Sequence, residues 1–158
     1  MQIVEAPGAA QRLRRSLGRP AKQFQATFRT PLKQLKAFTV TVLNAPGPIT
    51  AGEVTLQQVV FSAKNLEELL AVHGLPPRYG QDWTIRATGQ HETTALLEAV
   101  WGDWLDFYFT PTPKRYRLFA DHDEYTTIFA ATKGHLGKVA AALADSGFSR
   151  VAGYERTW

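Results

Sequence analysis

The chain has 158 residues, 44% hydrophobic and 20% charged, with 18 Lys and Arg against 14 Asp and Glu. That length suits one domain, with or without an appended segment, and the apolar fraction is too high for a disordered chain. No apolar run approaches the ~20 residues of a membrane helix, and the absence of cysteine excludes thiol chemistry, Cys-ligated metals and disulfides.

At the N-terminus, Glu5 and Pro7 fall where a secretory signal needs an unbroken apolar core. Together with the missing cysteines, this makes a cytoplasmic location the expectation. The stretch from Ala9 to Lys36 is Arg-rich and free of acids, a superficial likeness to a mitochondrial presequence; it is read here as part of the working protein. Charge is divided unevenly. Residues 1–52 hold eight Lys and Arg against the single acid Glu5, whereas residues 53–158 hold ten against thirteen acids. The expected layout is a basic N-terminal arm over 1–36 followed by a single α+β domain over 37–158. Within the arm, Ala9 to Leu17 has helical character with Leu13 and Leu17 paired at i,i+4, and Gly18 and Pro20 end it.

From Phe38 the pattern has period two, with Phe38, Val40 and Val42 on one side and Thr39 and Thr41 on the other, which predicts a strand. Asn44-Ala45-Pro46-Gly47-Pro48 predicts a turn. A strand from about Val54 to Phe61 changes phase at Gln57-Gln58, the mark of a bulge. Asn65 and Glu68 have the spacing of a capping box for a helix ending at Gly74. A strand over Trp83 to Thr88, a helix from Glu92 to Trp101 and a strand from Leu105 to Phe109 follow, the last broken by Thr110-Pro111-Thr112-Pro113. Arg115 to Ala120 and Tyr125 to Ala131 form a hairpin around Asp121-His122-Asp123-Glu124. The last helix is capped by Thr132, buries Leu136, Val139, Ala140 and Leu143, and stops at Gly147 with Phe148 returning to Leu143. A final strand is expected over Ser149 to Tyr154. The fold class is therefore α+β, an antiparallel or mixed sheet packed by about three helices. From Trp83 onward the order resembles the split β-α-β topology of ferredoxin-like domains, a likeness of topology that does not fix function.

Motifs for catalysis are sparse. Thr132-Lys133-Gly134-His135-Leu136-Gly137-Lys138-Val139 lies where a phosphate loop would, but lacks its first glycine and the hydroxyl after the lysine. His91-Glu92 has Ala95 where a zinc motif needs its second histidine, and no serine sits in a Gly-x-Ser-x-Gly elbow. Asp121-His122-Asp123-Glu124, with Asp103 and Asp106, is the densest acidic group, yet turn preference alone explains the tetrapeptide. No catalytic residue, metal ligand or cofactor is assigned.

The basic residues carry the functional expectation. Arg12, Arg14, Arg15, Arg19 and Lys22, followed by Lys33 and Lys36, are the candidate anion contacts; Lys114, Arg115 and Arg117, beside outward-facing Tyr108, are a second basic group of the kind that single-stranded nucleic acids meet. Cations that neutralise phosphates release counterions and bind without reading bases. The expected function is a non-catalytic binding or assembly protein, its partner nucleic acid or an acidic protein surface, with self-association left open. Membrane insertion is not expected, because Leu13 and Leu17 make too small an apolar side. Two readings stand beside it. One is a protein-targeting inhibitor of the immunity-protein or antitoxin type, its acidic body opposing a basic toxin. The other is a small metal-dependent hydrolase or nuclease using Asp103, Asp106, Asp121 and His122.

Overall fold

A computed structural model describes the chain apart from Ala6, residues 18–23, Arg78 and Trp158, and apart from the side chains of Glu5 and Leu17. Its strands are β1 (Gln2–Glu5), β2 (Phe24–Arg29), β3 (Ala51–Gln58), β4 (Trp83–Thr88), β5 (Asp106–Thr112), β6 (Arg117–Ala120) and β7 (Tyr125–Ala130). Its helices are α1 (Ala9–Leu17), α2 (Leu35–Asn44), α3 (Lys64–Val72), α4 (Gly89–Gly102) and α5 (Lys133–Asp145). All seven strands join one sheet in the order β1-β4-β3-β5-β6-β7-β2, and every pairing is antiparallel. This is an α+β fold. Segments of residues 1–36 form both outer strands of the sheet, β1 on β4 and β2 on β7. None of the helices among the described residues is long and apolar enough to cross a membrane.

The alternation along each strand gives the sheet two unlike faces. Val54, Leu56, Ile85, Phe107, Phe109, Leu118, Ile128 and Phe28 point into the main core, which α2, α3, α4 and α5 cover. Phe38 of α2 meets Trp101 of α4 and Phe148 edge-on, with ring centroids 5.3 and 5.1 Å apart; each such pair adds about 0.5–1.5 kcal/mol to what burial supplies. The second face is more polar. Thr27 and Thr127, and Thr55 and Thr84, join hydroxyls across strands at 2.9 Å. A smaller apolar cluster there, Tyr108, Phe119 and Phe129, is covered by Ala10 and Leu13 of α1.

One connection is a split β-α-β unit. β4 and β5, joined by α4, run parallel with β3 between them. After α5 the chain returns along the outer side of β2, so that β2 lies between it and β7. The bulge is also present, as a register shift in β3 between Leu56 and Gln58. Thr132 accepts the amide of His135 at 3.1 Å, and Gly147 (φ 84°) lets Phe148 N return to Leu143 O at 3.0 Å.

Five local expectations are corrected. β5 does not break at Thr110 but runs on to Thr112, with Pro111 opposite Gly52 of β3, and Tyr108, expected to face outward, is buried under α1. Residues 38–42 are helical, part of α2. Phe38 and Val42 satisfy an i,i+4 stripe as well as an alternation, Thr39 and Leu43 are buried beside them, Val40 faces outward, and Thr41 bonds back to the carbonyl of Ala37 at 2.8 Å. The strand expected over Ser149 to Tyr154 is a single bridge, Arg150 to Phe28, since Gly153 lies at φ 70° and the segment bends away. The capping box of α3 does not form. Ala63 is the cap residue, exposed Glu68 lies near Lys64 at 3.9 Å, and the free amides go to Asp103.

Candidate anion-binding face

α1 is fixed from both ends. At its start, Asp82 sits in a left-handed turn (φ 69°) and aims its carboxylate at the amides of Gly8 and Ala10, 2.9 and 2.8 Å away. A carboxylate there satisfies orphan donors and complements the helix dipole. Near its end, Arg117 of β6 donates from Nη1 to Ser16 Oγ at 2.9 Å. With Ala10 and Leu13 turned to the sheet, the 100° step per residue sends Arg15 straight outward, with Arg12 and Arg14 flanking it. All three arginines are exposed. Arg12 donates from Nη1 to Pro7 O at 2.8 Å.

Arg12, Arg14, Arg15 and Arg117 are thus gathered on the second face. Among the described residues the side-chain ion pairs are Lys64–Glu68, Arg86–Glu53, Arg156–Asp121 and His122 with Asp106 and Asp123; neither Arg12 nor Arg15 enters one. Under α1, burial raises the Tyr108 hydroxyl above its ordinary value, opposed by the nearby guanidinium groups of Arg14 and Arg156, so this hydroxyl stays neutral. The expected contacts Arg19 and Lys22 lie outside the described residues.

The remaining basic residues lie elsewhere. Lys33, in a 3₁₀ turn over Leu32–Gln34, and Lys36 on α2 are exposed at the sheet end where Thr30 N bonds to Glu124 O. Lys114 and Arg115 occupy the β5–β6 turn. Lys114 is exposed, but Arg115 is partly buried and donates from Nη1 to Pro46 O, so it ties that turn to the loop after α2.

Beside α1 the second face holds a cleft of about 330 Å³ lined by Gly8, Ala10, Gln11, Arg14, Gln57, Gln81 and Asp82. Gln57 reaches it from the bulge in β3, and Gln81 and Asp82 from the turn that enters β4. Sequence reasoning found the bulge but none of Gln11, Gln57, Gln81, Asp82 or Ser16 as site residues; glutamine and serine carry no spacing signature.

The acids do not form one centre. Asp103 is committed to α3 through the amides of Asn65 and Leu66. Asp121 accepts the amides of Asp123 and Tyr125 with one oxygen and pairs with Arg156 through the other. Asp106, almost fully buried, accepts both the amide and the ring Nδ1 of His122 at 2.8 Å, and this bond raises the imidazole above its usual value. A carboxylate-oriented imidazole can take a proton, but Asp103 and Asp121 are held by other partners. Among the described residues no group of three His, Asp or Glu side chains can hold a metal. No protein-family model matches this chain, and no curated protein sequence matches it either.

Proposed function

We propose that this chain is a non-catalytic binding protein that holds an anionic partner, nucleic acid, on the α1 face. The observation that carries the reading is the outward pair Arg12 and Arg15, exposed and in no ion pair among the described residues. Among the described residues the carboxylate bonded to the start of α1, that of Asp82, accepts the amides of Gly8 and Ala10. Phosphates meeting such a helix displace counterions, so affinity comes chiefly from charge and falls with salt. α1 is packed on the sheet through Ala10 and Leu13, so its backbone is already ordered before a partner arrives.

The test is fluorescence anisotropy of a labelled single-stranded oligonucleotide with the full chain, titrated with salt. Each phosphate contact adds about 0.7 to the slope of log affinity against log salt. The Arg12→Gln/Arg15→Gln double variant is expected to bind more weakly and to reduce that slope by about 1.4. An unchanged slope in the variant, or wild-type binding that ignores salt, overturns the proposal. So does binding to polyglutamate without binding to the oligonucleotide, which would assign the face to an acidic protein.

A further inference from the structure

The cleft beside α1 has more chemistry than a charged surface needs. Glutamines from three elements line it: Gln11 from α1, Gln57 from the β3 bulge and Gln81 from the turn before β4. A carboxamide offers a donor pair and an acceptor side by side, the pattern that reads the edge of a base. At about 330 Å³ the space falls within the range of small-ligand pockets, and it admits one heterocycle but no duplex.

We infer that this cleft receives one unstacked base of a single strand whose phosphates lie along α1, and that it favours bases bearing an exocyclic amino group. The inference rests on the α1-face reading and names what the site selects. Charge sets the orientation. Asp82 lines the cleft and already accepts the amides of Gly8 and Ala10; its charge disfavours a phosphate there and its remaining lone pairs can accept from an amino group, whereas Arg14 lines the same cleft and Arg15 and Arg12 are exposed on the helix. The base therefore points in and the backbone stays out.

Gln57 adds an independent sign. The side chain lines the cleft, yet its Oε1 is shielded from solvent and has no hydrogen-bond partner among the described residues. Such an acceptor is costly to leave unmade. The terminal torsion of glutamine is soft, so a donor arriving in the cleft lets the amide turn to meet it. The amino group of cytosine or adenine is such a donor; thymine and uracil present a carbonyl at the matching position.

Short oligo(dC) and oligo(dT) of equal length carry the same phosphates, so their affinity ratio cancels the electrostatic contribution. For the full chain at fixed salt, oligo(dC) is expected to bind about three- to ten-fold more tightly, the worth of one hydrogen bond. Gln57→Ala and Gln81→Ala should bring that ratio toward one, with the urea midpoint reporting that each variant is folded. Gln11→Ala, at an exposed helix position, gives the same readout without touching the sheet. A wild-type ratio of one, or a preference that survives all three substitutions, overturns the inference while leaving salt-dependent binding in place. No binding to either homopolymer overturns the α1-face reading and this inference together.

Discussion

The carboxylate of Asp103, just past the end of α4, closes the first turn of α3 by accepting the amide of Leu66 at 2.8 Å. Its other oxygen takes the amide of Asn65 at 3.0 Å and the Asn65 side chain at 2.7 Å. Asp103 is 5% exposed and its bond to the Leu66 amide is buried, so that donor has no water to turn to once the carboxylate is removed. Asp103→Ala is expected to lower stability by about 2 kcal/mol, the sum of a lost cap and an unpaired buried donor. Urea denaturation measures it. Asp103→Asn, which keeps one acceptor, should lose less. A hydrolase would show the reverse pattern for this residue, with rate lost and stability kept.

His122 predicts how stability responds to pH. Its hydrogen bond to Asp106, then the charges of Asp106, Asp123 and Asp121, raise it above the ordinary value of 6.5, while partial burial lowers it. A group raised on folding binds its proton more tightly in the native state, so folding is favoured where the proton is present. This contribution is complete below 6.5 and disappears as pH rises through the higher native value. The wild-type urea midpoint should therefore fall relative to His122→Gln across that interval, and the imidazole should titrate above 6.5 by NMR. A midpoint difference that stays constant with pH would show that the Asp106 contact does not favour the protonated ring.

The elements read most directly from the sequence are those whose signals are local. α5 has its cap at Thr132, its stripe through Val139 and Leu143 and its stop at Gly147 within sixteen positions. α2 was hidden because Phe38 and Val42 fit two periods at once, and only the presence of α4 and α5 above the sheet decides between them. The cap of α3 lies 38 residues away in Asp103, beyond any window. The basic residues of the candidate face were visible as composition. Their grouping was not, because Arg117 reaches Ser16 across 101 residues and Arg115 is turned to Pro46. Both depend on where α1 and the β5–β6 turn settle on the sheet.

Gly52 shows how closely α4 approaches β3. A methyl group on its Cα would lie 2.5 Å from Phe109 Cε2 and 2.6 Å from Thr93 Cγ2, and both neighbours are buried. Gly52→Ala is expected to cost about 2 kcal/mol through overpacking, although alanine is ordinarily harmless in an extended backbone. Combining it with Phe109→Leu, which shortens one of the two contacts, should give a loss smaller than the sum of the single variants. Additive losses would mean that the space above Gly52 can adjust without Phe109.

Arg156 ties the end of the chain to the second face. Its guanidinium pairs with Asp121 and lies over the Phe119 ring, 3.9 Å from the centroid. The Gln25 side chain accepts from the Arg156 amide at 3.0 Å and donates to its carbonyl at 3.3 Å. Upstream, Val151 N bonds to Thr27 O, and Arg29 N to Ser149 O, so this segment covers the outer side of β2. Arg156→Ala leaves the Asp121 carboxylate, 6% exposed, without its cation, at a cost of about 2 kcal/mol once the partial exposure of Arg156 is allowed for. Hydrogen exchange should locate the loss, with faster exchange at Val151 and Arg29 and unchanged protection in α5. Arg156→Lys keeps the charge but lacks the planar fork that both pairs and stacks, so it should restore only part of the protection. Full restoration by lysine would assign the hold on β2 to charge alone, and no change in either variant would assign it to the backbone bonds of Val151 and Arg29.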